Sequence, residues 1–254
     1  MSDQYFSAAK FNYNPRDEKE AIEQCVMLNR ILANEGILDM MGHVSVRNPV
    51  SKDTFFQSCR VSPEVVTRAD IMEIDFKGNV LSGGSRHAYQ ETNCHRVIYS
   101  ARPDVNAIVH CHCDDFMPFV CCDLPMRPVI HEGSIFYEGI RTMERKAGCE
   151  GCTIKPEEYD AMLEALGNRR AFFIRNHGAM IVSESTVSLV ATSIYLKKNA
   201  LALYRTIAAG GAPFYMDEES AKNSAAEVLA PGMVERIWGY YLQRVRRNMP
   251  DLYW

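Results

Sequence analysis

Two histidines separated by one residue form the motif with the clearest capacity for chemistry in this sequence. His110 and His112 lie in Val109-His110-Cys111-His112-Cys113, at the end of an apolar run that predicts a strand. Side chains at i and i+2 of a strand point to the same face, roughly 6.5–7 Å apart, so two imidazoles could bind one metal ion. A pair of hydrogen-bonded core histidines is the alternative, and the motif alone leaves both open.

A third histidine and a carboxylate could complete such a site. His177 lies in a predicted turn, Arg175-Asn176-His177-Gly178, where it could be a metal ligand or a plain turn residue. Glu91 begins a predicted helix that leads into the His110 strand. It could bind the metal, act as a general acid or base, or simply favour the helix start through the macrodipole. Three imidazoles with an open coordination face suit Zn²⁺, Mn²⁺, Fe²⁺ or Co²⁺, and we expect one such ion per chain.

The elements that must position these residues are helices and strands, interleaved without regular alternation. This order predicts one layered α/β domain over residues 1–254 with a mixed or antiparallel sheet. We expect the first strand to be half-buried, because Val44 and Val46 alternate with polar residues. The first helix should be capped by Asn14, begin at Pro15 and end at Gly36. The predicted strands are 43–47, 59–62, 73–76, 79–81, 107–112, 171–175 and 179–182, and the other predicted helices are 89–100, 185–208 and 231–247.

Composition limits the possible partners. The 254 residues carry 28 Lys+Arg and 32 Asp+Glu, a formal charge of −4, and 47% are hydrophobic. This balance gives no electrostatic basis for binding nucleic acid or an anionic membrane. No apolar run approaches the roughly 18–20 residues that span a bilayer, and no signal-peptide core is evident. The nine cysteines are an odd number, so we expect reduced thiols and a cytoplasmic protein.

Taken in order along the chain, these motifs resemble the class II aldolase/adducin family. The resemblance covers about residues 17–210 and rests on Gly42-His43-Val44-Ser45-Val46-Arg47, on Glu91 with His95, on the stretch from Ala101-Arg102-Pro103-Asp104 to His112, and on Asn176-His177-Gly178. It implies a three-layer α/β/α fold with a central, mostly antiparallel mixed sheet. It also implies a cyclic homotetramer with active sites at subunit boundaries, His110, His112 and His177 as metal ligands, and Glu91 as the catalytic carboxylate.

Departures from the sugar-phosphate aldolases of that family point to a different substrate. Their usual Gly-Asn is Gly42-His43 here, their Thr-Gly is Glu64-Val65, and their Ser-Ser is Tyr89-Gln90. An anionic Glu64 and a bulky Tyr89 cannot reproduce a phosphate-binding nest of amides and hydroxyls. The His43 and Tyr-x-Glu features are instead similar to the decarboxylase branch, which acts on hydroxylated aromatic or heteroaromatic carboxylates.

We therefore predict a divalent-metal-dependent lyase that decarboxylates a non-phosphorylated, hydroxylated aromatic or heteroaromatic carboxylate. Glu91, His43 or a tyrosine would donate the proton that replaces CO₂. An aldolase or retro-aldolase acting on a hydroxy-keto acid would use the same ligands. A non-catalytic, adducin-like scaffold is the third alternative, although scaffold members tend to lose the metal histidines that this chain keeps.

Further candidates would shape the substrate site. Arg60 could clamp a carboxylate or form a surface ion pair, and Tyr89 stands next to the catalytic position. His131 could face the site as a catalytic group or bind a loop carbonyl. Tyr240 and Tyr241 lie in an aromatic helical extension, residues 212–254, and could stack on the substrate or pack in the core.

Overall fold

A single eight-stranded sheet forms the centre of the protein. The computed structural model describes residues 14–83, 87–147 and 153–251. The strand order is β4-β3-β2-β1-β5-β8-β7-β6, and the neighbouring strands pair antiparallel except β6 with β7, which are parallel. The strands are β1 His43–Arg47, β2 Thr54–Ser58, β3 Ile71–Asp75, β4 Val80–Ser82, β5 Ala107–Cys111, β6 Arg141–Met143, β7 Ala171–Ile174 and β8 Gly178–Ser183.

Helices cover both faces of this sheet. Successive residues of β5 divide between two cores: Val109 and Cys111 pack in one, and Ile108 packs in the other. Helices α1, α5 and α7 contribute to the first core, and α2 and α4 contribute to the second. The fold is therefore the expected three-layer α/β/α sandwich with a mostly antiparallel sheet. The helices are α1 Glu18–Asn34, α2 Thr92–Ala101, α3 Met117–Val120, α4 Tyr159–Leu166, α5 Thr186–Ala208, α6 Glu218–Val228 and α7 Pro231–Asn248. Among the described residues, no helix has the length and apolar character to cross a bilayer.

The start of α1 differs from the prediction. The helix begins at Glu18, because the Asp17 side chain accepts a hydrogen bond from the Glu20 amide at 2.8 Å and so caps the first turn. The prediction of an Asn14 cap was therefore wrong, and the Asn14 amide instead donates to the Glu184 carbonyl oxygen. The predicted end at Gly36 is confirmed, since this residue has a left-handed φ of 64° after the last turn.

Two strand predictions were also wrong. The strand expected at 59–62 is absent there, and β2 lies at Thr54–Ser58, where every residue is buried. The first strand is not half-buried, because α2 covers the face that carries its polar side chains. Ser45 lies 2.9 Å from the Tyr99 hydroxyl and 2.6 Å from His95 Nδ1, both on α2. The polar side chains of this strand are buried against α2, so their alternation with the two valines did not mean that they face solvent. Helix α2 itself begins at Thr92, three residues later than predicted.

Candidate metal centre and the adjoining cleft

The antiparallel register of β5 and β8 brings three histidines to one end of the sheet. His110 lies on β5 and pairs with Met180 of β8, and His112 follows directly after β5. His177 precedes β8 in the β7–β8 turn, where its amide donates to the Ile174 carbonyl oxygen at 3.0 Å. Asn176 makes this turn possible by adopting φ 54°, a left-handed conformation that asparagine tolerates better than most residues.

A glycine lets the two strands approach closely beside these histidines. A Cβ atom on Gly178 would lie 2.5 Å from the Cys111 carbonyl oxygen and 2.8 Å from Cδ2 of His112. Both distances are shorter than van der Waals contact, so only glycine fits without displacement. The Asn-His-Gly motif therefore combines a turn, a histidine and a close approach of strands.

The three imidazoles converge in a geometry suited to a divalent cation. One ring nitrogen of each of His110, His112 and His177 lies within 4.8 Å of the other two. His110 Nδ1 lies 3.2 Å from the Ala179 carbonyl oxygen, to which it can donate, whereas its buried Nε2 has no hydrogen-bond partner among the described residues. His112 Nδ1 lies 3.2 Å from both carboxylate oxygens of Asp39. Such outer partners fix the ring and tautomer of metal-binding histidines, so His110 and His112 fit a metal bound through Nε2.

Burial keeps two of these imidazoles in the form that binds metal. Burial places the pKa of His110 well below its usual value. Burial and the neighbouring His112 together lower the pKa of His177 to about 4. Both rings are therefore neutral at physiological pH, with a lone pair available for coordination.

Glu91 lies beside the histidines but outside the converging group. It is the residue immediately before α2, and its side chain is 14% exposed. Its Oε2 lies 3.9 Å from His43 Nε2, which is too long for a hydrogen bond. Burial raises the pKa of the Glu91 carboxyl, but the adjacent His43 and local hydrogen bonding lower it more, so the pKa lies below its usual value. Glu91 is therefore ionised near neutral pH.

His43 lies buried next to this carboxylate. It pairs with His110 across β1 and β5, and the two ring centroids are 5.4 Å apart. The Tyr89 ring packs against it with a centroid distance of 4.2 Å. Burial lowers the pKa of His43 despite the nearby Glu91, so this imidazole is neutral.

A cleft of about 340 Å³ opens beside Glu91. Arg60 lines it with an exposed side chain that makes no hydrogen bond or ion pair to the described residues. Tyr89 contributes its ring, while its hydroxyl donates to the Val61 carbonyl oxygen at 2.7 Å, and burial raises the pKa of that hydroxyl. The structure thus brings Glu91, Arg60 and Tyr89 together. The described residues that line it are Met40, Met41, Arg60, Val61, Ser62, Tyr89, Gln90 and Glu91.

The remaining three candidate residues lie in a second cleft. His131, Tyr240 and Tyr241 line a cavity of about 410 Å³ formed with α5, α6 and α7. His131 Nε2 lies 3.7 Å from a carboxylate oxygen of Glu227, and the two tyrosine rings meet edge to face at 4.9 Å. The described linings of the two clefts share no residue. Within one chain, the candidate residues therefore form two groups.

Sequence reasoning missed Asp39 and Gln57, the partners of two of these histidines. Asp39 contacts His112, and Gln57 Nε2 lies 3.0 Å from His43 Nδ1. Asp39 had a weak signal, because it lies four residues before His43 in the loop that leads to the first motif. Gln57 had none, since it reaches His43 only through the pairing of β1 with β2.

The sheet between two helical layers and the cluster of imidazoles define an α/β/α protein with a histidine-rich centre. The chain belongs to the Class II Aldolase and Adducin N-terminal domain family, whose model matches residues 23–204. The predicted family is thus confirmed. The matched segment ends within α5, before α6 and α7 begin.

Relatives of this chain include decarboxylases. The decarboxylase tropJ of Talaromyces stipitatus is 26% identical over 246 residues, which cover 85% of this chain and 90% of that protein. The 3,4-dihydroxyphthalate decarboxylase of Arthrobacter keyseri is 26% identical over 212 residues, covering 79% of this chain and 84% of the relative.

Solved structures share the fold. An L-fuculose 1-phosphate aldolase from Glaciozyma antarctica superposes with a TM-score of 0.77 at 25% identity, covering 92% of this chain and 91% of that one. An aldolase II superfamily protein from Pseudomonas syringae has a TM-score of 0.78 at 18% identity, covering 96% and 97%. At 18% identity, the likeness to the Pseudomonas syringae protein shows only that the fold is shared.

Proposed function

We propose that this protein is a divalent-metal-dependent lyase that decarboxylates a non-phosphorylated, hydroxylated aromatic or heteroaromatic carboxylate. The observation that carries the proposal is the cleft beside Glu91. It joins a carboxylate and an unpaired arginine to the ring of Tyr89 and the side chains of Met40 and Met41. Such walls suit a flat, anionic ring. The two relatives named as decarboxylases support the same reaction class.

His110, His112 and His177 would hold the metal. When bound, a divalent ion would act as a Lewis acid that stabilises negative charge on the hydroxyl and carboxylate oxygens of the substrate. Zn²⁺, Mn²⁺, Fe²⁺ and Co²⁺ all suit three imidazoles. Asp39 would hold His112 in the orientation that this role requires.

Glu91 would move the proton that replaces CO₂. As an ionised carboxylate it accepts the hydroxyl proton of the substrate and then donates that proton to the ring carbon that bears the carboxylate. The carbon–carboxylate bond then breaks, and its electron pair restores the aromatic ring. The product leaves as a phenolate that takes a proton from solvent, and Glu91 is again ionised. Neutral His43 is a weaker acid, and the Tyr89 hydroxyl is engaged with Val61.

Arg60 would bind either the substrate carboxylate that leaves as CO₂ or a second carboxylate of the substrate. Its guanidinium has no partner among the described residues, although it lines the same cleft as Glu91. A bidentate contact with a carboxylate would orient the ring between Tyr89 and the two methionines. The cleft would therefore select for an anionic aromatic compound over a neutral one.

The second cleft would contribute to the substrate site only when subunits assemble into an oligomer. We propose a homotetramer in which His131, Tyr240 and Tyr241 of one subunit complete the Glu91 cleft of a neighbour. Their separation from Glu91 within one chain, and the exposure of His131 and Tyr240, support this arrangement. Mixing inactive Glu91→Gln subunits with inactive Tyr240→Ala subunits should then restore part of the activity. No recovery in mixed oligomers would place the tyrosine outside the shared site.

Metal content and product analysis test the proposal together. The wild-type protein should bind about one divalent ion per chain, as the three-histidine site predicts. A His110→Ala/His112→Ala variant should lose it while staying folded, and a His87→Ala variant, which changes an exposed histidine, should keep it. A panel of hydroxylated aromatic carboxylates should then release CO₂ with the wild type and not with Glu91→Gln.

The outcomes separate the alternatives. Release of an aldehyde from a hydroxy-keto acid, without CO₂, would favour an aldolase, which the likeness to the fuculose 1-phosphate aldolase supports. A wild type that binds no metal even after reconstitution would contradict both lyase reactions and favour a scaffold.

A further inference from the structure

A chain of buried polar side chains lies beneath the Glu91 cleft. Thr92 Oγ1 lies 2.6 Å from Gln57 Oε1, and Gln57 Nε2 lies 3.0 Å from His43 Nδ1. Gln57 and His43 are fully buried, and Thr92 is 6% exposed. Buried polar groups need hydrogen-bond partners, and these three side chains provide them for one another. Each of the two hydrogen bonds therefore has a direction, with one donor and one acceptor that can be assigned.

The distances set that direction. A separation of 2.6 Å is typical of an O–H···O bond and shorter than the usual N–H···O range of about 2.7–3.2 Å. The Thr92 hydroxyl therefore donates to the amide oxygen of Gln57. The amide nitrogen then faces His43, and since it can only donate, His43 Nδ1 must accept.

An accepting Nδ1 determines where the neutral imidazole carries its hydrogen. The hydrogen must lie on Nε2, the atom 3.9 Å from Glu91 Oε2 that has no hydrogen-bond partner among the described residues. A doubly protonated ring would oppose two donors at Nδ1, so the contact with Gln57 also disfavours the imidazolium. His43 thus directs a neutral N–H toward the Glu91 carboxylate.

We propose that Gln57, held by Thr92, is a positioning residue that fixes His43 in its Nε2–H tautomer, so that one preorganised donor is directed at the carboxylate of Glu91. The tautomer follows from the hydrogen bonds alone, and only its catalytic consequence rests on the proposed function.

The fold couples this donor to the catalytic carboxylate. Glu91 and Thr92 are consecutive residues at the start of α2, so the same helix start places one in the cleft and the other against Gln57. Gln57 is opposite Ser45 in the β1–β2 register, one side-chain step from His43 on the same face of the sheet. A shift of α2 would therefore change both the donor and the carboxylate.

The His43 tautomer can be observed directly by NMR. Protein labelled with ¹⁵N-histidine, metal-free and zinc-loaded, distinguishes the two ring nitrogens by their coupling to carbon-bound ring hydrogens, and a His43→Gln variant assigns the signal. The wild type should carry hydrogen on Nε2. In Gln57→Glu, the new carboxylate should accept from Nδ1 and reverse the tautomer, and Gln57→Leu should leave a mixture. Thr92→Ser should keep the wild-type form.

Activity measures the consequence of the tautomer. Loss of one preorganised donor costs about 10²–10³ in kcat, so Gln57→Glu should lose at least about 100-fold with KM little changed and zinc still bound. Gln24→Glu is the matched control, because Gln24 also accepts from a threonine, Thr186, but on α1 away from the histidines. It should leave the tautomer and kcat as in the wild type.

Distinct results would overturn distinct claims. Hydrogen on Nδ1 in the wild type, or a tautomer that Gln57→Glu and Gln57→Leu both leave unchanged, would overturn the assignment. A reversed tautomer with unchanged kcat would overturn the catalytic consequence. If the tautomer is as inferred but no aromatic carboxylate releases CO₂, the proposed function fails and the positioning role of Gln57 stands.

Discussion

Replacing Asp39 with asparagine should weaken metal binding without disturbing the fold. Both Asp39 oxygens face His112 Nδ1, and Oδ1 also accepts the backbone N–H groups of Met41 at 3.0 Å and Gly42 at 2.8 Å. Asparagine keeps the Oδ1 acceptor and therefore the turn. It removes the negative charge that raises the basicity of the imidazole, and it replaces Oδ2, one of the two oxygens near His112 Nδ1, with an amide donor.

The structure sets the expected size of the effect. Loss of an outer partner of a metal-binding histidine typically costs about 10–100-fold in metal affinity. The Asp39 side chain is 44% exposed, so solvent screens its charge and we expect about a tenfold loss for Asp39→Asn. Asp39→Ala also removes the acceptor of two backbone donors. It should lose about 100-fold in affinity and lower the free energy of unfolding of the metal-free protein by about 1 kcal/mol.

Competition with a chromophoric chelator measures these affinities near neutral pH. Asp75→Asn is the matched control, because Asp75 accepts the backbone amides of Lys77 and Asn79 in a turn on the far side of the sheet. Wild-type zinc affinity in Asp39→Asn would refute the role of the carboxylate. An equal loss in Asp75→Asn would show that turn disruption, rather than the contact with His112, weakens binding.

Three further changes test the packing, the ionisation and the cleft. Gly178→Ala should lower the free energy of unfolding by about 1–3 kcal/mol in thermal denaturation. Gly232→Ala is the control, because a Cβ there would meet open space, and it should not lower the stability in this way. Equal effects of the two changes would contradict the close approach of the strands at Gly178. The His177 pKa of about 4 lies below the unfolded value of 6.5, so the unfolded chain binds more protons between those pH values. The melting temperature of the metal-free protein should therefore fall as the pH is lowered through that range, and less steeply in His177→Asn. Arg60→Gln should raise KM for aromatic carboxylates about tenfold with kcat unchanged, and a selective fall in kcat would argue against a purely binding role.

The sequence predicted best where local pattern and chemistry coincide. The histidine strand and the long helix α5 are apolar segments, the Asn-His-Gly turn is a polar break between two apolar strands, and the structure contains all three. Strand β2 was misplaced because Thr54, Phe55, Phe56 and Gln57 are buried on both faces, so the polar residues give no solvent-facing alternation. Strand β6 and the short helices α3 and α4 were not predicted, and α6 was covered only by the helical extension expected over residues 212–254.

The features that the sequence did not predict depend on contacts between segments that are far apart along the chain. Asp39 and Gln57 become histidine partners only once β1 lies between β2 and β5, and no spacing along the chain records that order. The grouping of His131 with Tyr240 and Tyr241, apart from Glu91, depends on how α6 and α7 pack against α5. Residue types thus indicated the chemistry, whereas tertiary packing decided which residues share a cavity.

The close fit of Gly178 against Cys111 and His112 suggests how such a protein could acquire new substrates. Any side chain at position 178 would disturb the histidine centre, so substitutions at this position cannot alter the substrate site without damaging that centre. Met40, Met41 and Arg60 are exposed residues outside the strands that line the Glu91 cleft, so we expect substitutions there to leave the sheet undisturbed. If the proposed function holds, selection acting on these residues could change which ring the cleft accepts while the reaction stays the same.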